Sequence, residues 1–141
     1  MAAMTRKEAR EELFRLLFET EFRKDEDPRD IYTIAVEARQ IREDDYVKEC
    51  YFGICEHLEE IDEIFAAHSN GWKPSRISAT SRSVIRLCTY EMMFREDIPA
   101  AVSLNEAIEL VKLYDDPKAR AFVNGVLNGI KNTLTAGKGE E

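Results

Sequence analysis

Cys55 and His57 are the nearest this sequence comes to a thiol beside an imidazole. Residues two apart on a helix face different sides, so the ring is not placed to activate the sulfur. The second histidine, His68, has no companion at metal-ligand spacing, and no metal site is expected. Cys50, Cys55 and Cys88 are odd in number, sit among apolar residues and form no CxxC; they read as small core hydrophobes rather than as a disulfide framework or a zinc clip. Carboxylate pairs such as Glu59-Glu60 and Asp115-Asp116 belong to solvated surface in so acidic a chain. No Gly-rich phosphate loop, GxSxG or HExxH is present. The residues therefore predict no enzyme and no cofactor.

The chain of 141 residues fits one domain and is long enough to bury a core. Apolar residues at 44%, charged residues at 34%, 6 Gly and 4 Pro predict a globular, all-α protein. No apolar run approaches a membrane span, and the N-terminal MAAMTRKEAR turns charged where a signal peptide needs its apolar stretch. A soluble protein of the reducing cytoplasm is expected. The net charge of −8, from 20 basic and 28 acidic side chains, excludes nucleic-acid binding by bulk attraction. Any such site must be a local patch helped by a basic partner, because the acidic surroundings repel phosphate beyond a Debye length of about 8 to 10 Å.

Hydrophobic spacing supplies the elements that would hold such a patch. Thr5-Arg6-Lys7-Glu8 is a capping box opening a helix over about 5–24, with Ala9, Leu13, Leu16, Leu17 and Phe18 buried and Arg6, Lys7 and Arg10 towards water. Asp27-Pro28 starts a second helix with Ile31, Ile34, Ala35, Ala38 and Ile41 as its apolar face. From Asp44 or Asp45, apolar residues keep helical spacing from Tyr46 to Phe65, predicting one long helix that Asn70-Gly71 stops as a left-handed cap. Trp72 anchors the connector that follows. Ser78 or Thr80 starts a helix burying Val84, Ile85, Leu87, Cys88, Met92 and Met93, and REDIP closes it. Ser103-Leu104-Asn105-Glu106 is a second capping box, and Asp116-Pro117 starts the last helix, ahead of a frayed TAGKGEE tail.

The last helix carries FVNGVLNGI, residues 122–130, with Asn-Gly twice. Asn-Gly between apolar residues signals a hairpin turn, but the strands between two such turns would be two residues long. The four-residue period makes it a helix with both glycines on one face. Each glycine costs about 1 kcal/mol relative to alanine there, so the pair implies close packing, by a neighbouring helix or by a ligand such as RNA.

Three segments in order, RKEAREELFRLLFETEF, SRSVIRLCTYEMMFREDIP and SLNEAIELVKLYDDPKARAFVNGVLNGI, resemble the NusB family of bacterial transcription antitermination factors over nearly the whole chain. The resemblance implies a single all-α domain of about six or seven helices, built as two small helical bundles packed on one another, about 1–70 and 71–135. It implies binding of boxA RNA in nascent transcripts, notably of ribosomal RNA operons, as a heterodimer with the ribosomal protein NusE, alongside other Nus factors and RNA polymerase. A homodimeric or structural adaptor, or a detached RNA-binding domain like that of RNA cytosine methyltransferases, is the alternative.

The resemblance also assigns residues. The family's arginine-rich N-terminal segment is here Arg6, Lys7 and Arg10, of which the arginines lie one helical turn apart and can bridge successive phosphates at a helix N-terminus. Glu8, Glu11 and Glu12 depart from that basic pattern, and a solvated flank of ion pairs is the bland reading; weak RNA affinity for the isolated chain follows. Phe122 falls near the RNA site, either stacking on a base or filling the core, and Lys118 and Arg120 can meet phosphates. Arg82, Arg86, Tyr90 and Glu91 are candidates for the partner surface, although Arg86 better suits an ion pair with Glu91 or Glu106.

Overall fold

In the computed structural model, residues 4–39 and 43–138 are described, and among them are seven α-helices, one 3-10 turn and no strand. Residue contacts divide the chain into two units, Met1–Glu56 and His57–Glu141. No helix is long and apolar enough to cross a membrane among the described residues.

The first unit holds α1 (Arg6–Glu21), α2 (Pro28–Arg39) and α3 (Asp45–Glu56). Its opening follows the expected capping box: Glu8 N donates to Thr5 Oγ1 at 3.0 Å and Thr5 N to Glu8 Oε1 at 2.8 Å. Helix α1 packs on α3 and α2, burying Ala9, Leu13, Phe14, Leu16 and Leu17. Phe18, expected in that stripe, stands at its solvent edge, and Ile34 is exposed on α2, where Ile31, Tyr32 and Ala35 form the buried face. Ile41 lies outside the described residues. Tyr51 is the largest wholly buried side chain among the described residues. Thr20 Oγ1 donates to the Leu16 carbonyl at 2.7 Å, which leaves its oxygen to accept from the Tyr51 hydroxyl at 2.7 Å. Burial pushes the Tyr51 phenol up to about 12.

Helical spacing from Tyr46 to Phe65 predicts one helix, yet the structure makes two. Helix α3 ends at Glu56, His57 takes φ −104° and ψ 22°, and α4 (Leu58–Ala67) begins the second unit. A kink of one residue preserves the apolar period, so Ile54 and Ile61 keep their spacing while serving different cores. The contact division therefore falls after Glu56, whereas the sequence sets the change near residue 70.

The second unit contains α4, the turn Pro74–Arg76, α5 (Ala79–Phe94), α6 (Ala100–Tyr114) and α7 (Pro117–Lys138). Helix α5 packs on α4, α6 and α7 and is buried from Val84 to Met92 apart from Arg86, as a central helix must be. Ser78 caps it, accepting from Ser81 N at 3.2 Å. Helix α6 starts at Ala100 behind Pro99, so Ser103, Asn105 and Glu106 are not its cap. Ser103 is buried and donates across to Glu91 Oε1 at 2.7 Å: a buried carboxylate outcompetes the local backbone for that hydroxyl. Asp116 does cap α7, accepting from Ala119 N at 2.8 Å, and Val123, Val126, Leu127 and Ile130 line its core face. The helix runs on to Lys138, through most of the expected tail.

Candidate nucleic-acid interface

The N-terminal basic segment rests on an aromatic ring. The Arg6 guanidinium carbon lies 4.5 Å from the centroid of the Tyr46 ring and that of Arg10 lies 5.8 Å away. Arg6 and Lys7 are exposed, whereas Arg10, expected towards water, is only 5% exposed. Arg10 is interior, with the Tyr46 ring of α3 offering its guanidinium a π face. Nearby glutamates are partly diverted: Glu8 serves the helix cap and Glu12 Oε2 pairs with Arg15 at 3.2 Å. The outward charge of Arg6 and Lys7 is thus less opposed than composition suggests.

On α7, Lys118 is exposed and Arg120 and Phe122 are half-buried. Arg120 Nε is buried without a hydrogen-bond partner among the described residues. Lys118, Phe122, Gly125 and Gly129 fall at intervals of four, three and four, one stripe of the helix. The two glycines differ. A Cβ at Gly129 would stand 2.8 Å from His68 Nδ1, whereas one at Gly125 would meet nothing within 4 Å. His68 is the C-cap of α4, and its Nε2 lies 2.9 Å from Thr133 Oγ1, one turn beyond Gly129. The close packing demanded at Gly129 is thus a side chain of this chain, not a helix backbone. Beside the stripe, Asn128 Nδ2 donates to the Asn124 carbonyl at 2.9 Å.

The α5 residues behave differently. Arg86 forks onto Asp62 of α4, Nε to Oδ1 at 2.9 Å and Nη2 to Oδ2 at 2.7 Å, in place of the expected Glu91 or Glu106. Glu91 is 0% exposed and Tyr90 is buried against Phe94, ring centroids 5.1 Å apart. Arg82 donates to the Ile77 carbonyl. Tyr90 and Glu91 belong to the interior, Arg86 braces the α4–α5 contact and Arg82 is half-buried beside the turn, so each has a role within the chain besides the partner surface expected of it.

The NusB family pattern matches residues 7–132. The chain belongs to the NusB family. It is 42% identical over 131 residues to the transcription antitermination protein NusB of Bacillus pumilus (strain SAFR-032), covering 93% of this chain and 98% of the relative. The NusB of Bacillus subtilis (strain 168) is 38% identical over 137 residues, with 93% and 98% covered. Among solved structures, T. maritima NusB superposes with a TM-score of 0.84 at 34% identity, covering 99% of this chain and 100% of that one. A structure of antitermination factors NusB and NusE in complex with dsRNA matches with a TM-score of 0.80 at 32% identity, over 91% and 96%.

The NusB family match takes in Lys7, Arg10, the α5 residues and Lys118 to Phe122, and begins one residue after Arg6. Sequence reasoning missed one exposed feature of this NusB-family chain. Phe14, Phe18 and Phe22 follow one another along α1 and its C-cap, the first pair tilted and the second edge-on, with centroids 6.1 and 5.1 Å apart, and Phe22 is 69% exposed. Their four-residue spacing is the available signal, of which the sequence reading takes up Phe18 alone, as core.

Proposed function

We propose that this protein is a transcription antitermination factor that binds boxA RNA of nascent transcripts, notably of ribosomal RNA operons, as a heterodimer with the ribosomal protein NusE. Other Nus factors and RNA polymerase complete the assembly, in the cytoplasm. The observation that carries the reading is Arg6 held exposed over Tyr46 in a chain whose fold matches a NusB–NusE–RNA complex. Arg6, Lys7, Lys118 and Arg120 meet phosphates, Phe122 stacks on an unpaired base, and Arg10 positions Arg6 by sharing its ring. The exposed Phe18 and Phe22 offer the protein partner an apolar foothold, a role for which buried Tyr90 and Glu91 are unsuited.

The test is cooperative. Labelled boxA RNA is titrated with the protein alone and with NusE, for wild type and for Arg6→Ala/Lys7→Ala. Weak binding alone, strong binding with the partner and a loss of about tenfold in the double variant, two phosphate contacts' worth, are expected. No gain from the partner, together with an unchanged variant, would sink the assignment. A homodimer is the second reading, favoured by the open space beside Gly125; solution mass of Gly125→Leu separates it, since a seam there would be lost with the fold kept.

A further inference from the structure

Residues 64–90 contain no aspartate or glutamate, in a chain where 28 of 141 residues are acidic. The same stretch carries Lys73, Arg76, Arg82 and Arg86. Two of these cations are engaged, Arg82 with the Ile77 carbonyl and Arg86 with Asp62. Lys73 and Arg76 are exposed and have no side-chain partner among the described residues. Two carboxylates from outside the stretch are placed on it: Asp62 on Arg86, and Asp115, which accepts from Ser78 and Ser81 at 3.2 and 3.1 Å.

Trp72, the only tryptophan in the chain, stands beside these two cations. It was expected to anchor the connector, yet it is 57% exposed. Its backbone is nonetheless fixed. Trp72 N donates to the Ser69 carbonyl at 3.0 Å across Asn70 and Gly71, whose φ values of 52° and 84° are both in the left-handed region, as in a type I′ turn. Ser69 is wholly buried, and its hydroxyl reaches the Ala66 carbonyl at 3.1 Å and the Trp72 carbonyl. A large ring that could have been folded under the connector is instead presented outward on a tied turn, with unpaired positive charge one and four residues on.

We infer that Trp72, Lys73 and Arg76 form a second RNA contact, in which an unpaired nucleotide stacks on the indole and its flanking phosphates meet the two cations. Single-stranded RNA is the occupant that suits all three groups: a flat π face for a base and two cations for the phosphates on either side of it. An acidic protein partner would use the cations but leaves the indole's planar face without a specific role. The inference rests on the RNA-binding role proposed above and extends it to nucleotides beyond boxA.

The lone tryptophan makes the test site-specific. The full chain with NusE is titrated with fluorescein-labelled boxA RNA, bare or extended by several unpaired nucleotides at each end. Anisotropy reports total binding, and tryptophan emission, blanked against the Trp72→Leu complex, reports this site. Extended RNA is expected to quench Trp72 in step with the anisotropy rise. Trp72→Leu weakens extended RNA by roughly tenfold and leaves bare boxA unchanged. Lys73→Ala/Arg76→Ala lowers the salt slope for extended RNA by about 1.4, while Arg6→Ala weakens both RNAs but leaves full quenching at saturation. Binding by anisotropy with unchanged Trp72 emission, or quenching by the partner protein alone, overturns this contact and leaves the proposed function standing. Absence of any anisotropy change overturns both.

Discussion

In the first unit two guanidinium groups lie against an aromatic ring; in the second, one is forked by a carboxylate. Arg6 and Arg10 lie over Tyr46, and Thr20 bonds Tyr51; Arg86 is forked by Asp62, and Ser103 bonds Glu91. Both arginine pairs, Arg6/Arg10 and Arg82/Arg86, have the same four-residue spacing, so sequence presents them as equals. A ring orients a guanidinium without neutralising it, whereas a carboxylate cancels its charge. That difference leaves Arg6 available to phosphate and makes Arg86 a brace.

Alkaline titration gives the largest effect on the aromatic side. Tyr51 is raised to about 12 in the folded protein against about 10 unfolded, so its contribution is complete below pH 10 and lost as pH rises from 10 through 12. Two units correspond to about 3 kcal/mol at most. Tyr51→Phe should flatten the fall in stability between pH 10 and 12 in denaturant titrations; an unchanged profile breaks the account of that ring. On the carboxylate side, Arg86→Ala strands Asp62, and a part-buried pair of this kind should cost about 2 kcal/mol, read as a lower urea midpoint. Its RNA affinity with NusE should not change; a loss there would erase the distinction between the two arginine pairs.

The glycines of α7 give a smaller and opposed pair of effects. Gly125→Ala should stabilise by about 0.5 to 1 kcal/mol, having nothing to clash with. Gly129→Ala should lose that gain because its Cβ meets the His68 ring, and adding His68→Ala should restore it. Smallest in stability is Arg6→Ala, within about 0.5 kcal/mol of wild type in thermal unfolding, although it should cut RNA affinity and lower the salt slope by about 0.7.

Local signals that need only their own segment were legible. Thr5 with Glu8 and Asp116 before Pro117 are satisfied by backbone within three residues, so each acts as its type dictates. Ser103-Leu104-Asn105-Glu106 carries the same pattern, but Glu91 claims the serine from another helix. Arg10 and Arg86 were misplaced for the same reason: Tyr46 and Asp62 are distant in sequence, and spacing on one helix says nothing of what lies opposite. Three Asn-Gly pairs make the point again. At 70–71 the pair takes the left-handed turn it favours; at 124–125 and 128–129 the apolar period of α7 overrides it. The family resemblance reached the fold, yet not which arginine of the first helix is exposed.

Gly125 has a dynamic consequence. With no side chain at that position and open space beyond it, water can approach the α7 backbone there, midway along a helix of 22 residues. The amides of that turn should exchange with solvent through small local openings, faster than those around buried Leu127 and Ile130. Any molecule that settles on the stripe from Lys118 to Gly125 closes those openings, so slowed deuterium uptake in this one turn marks occupancy without a label or a substitution.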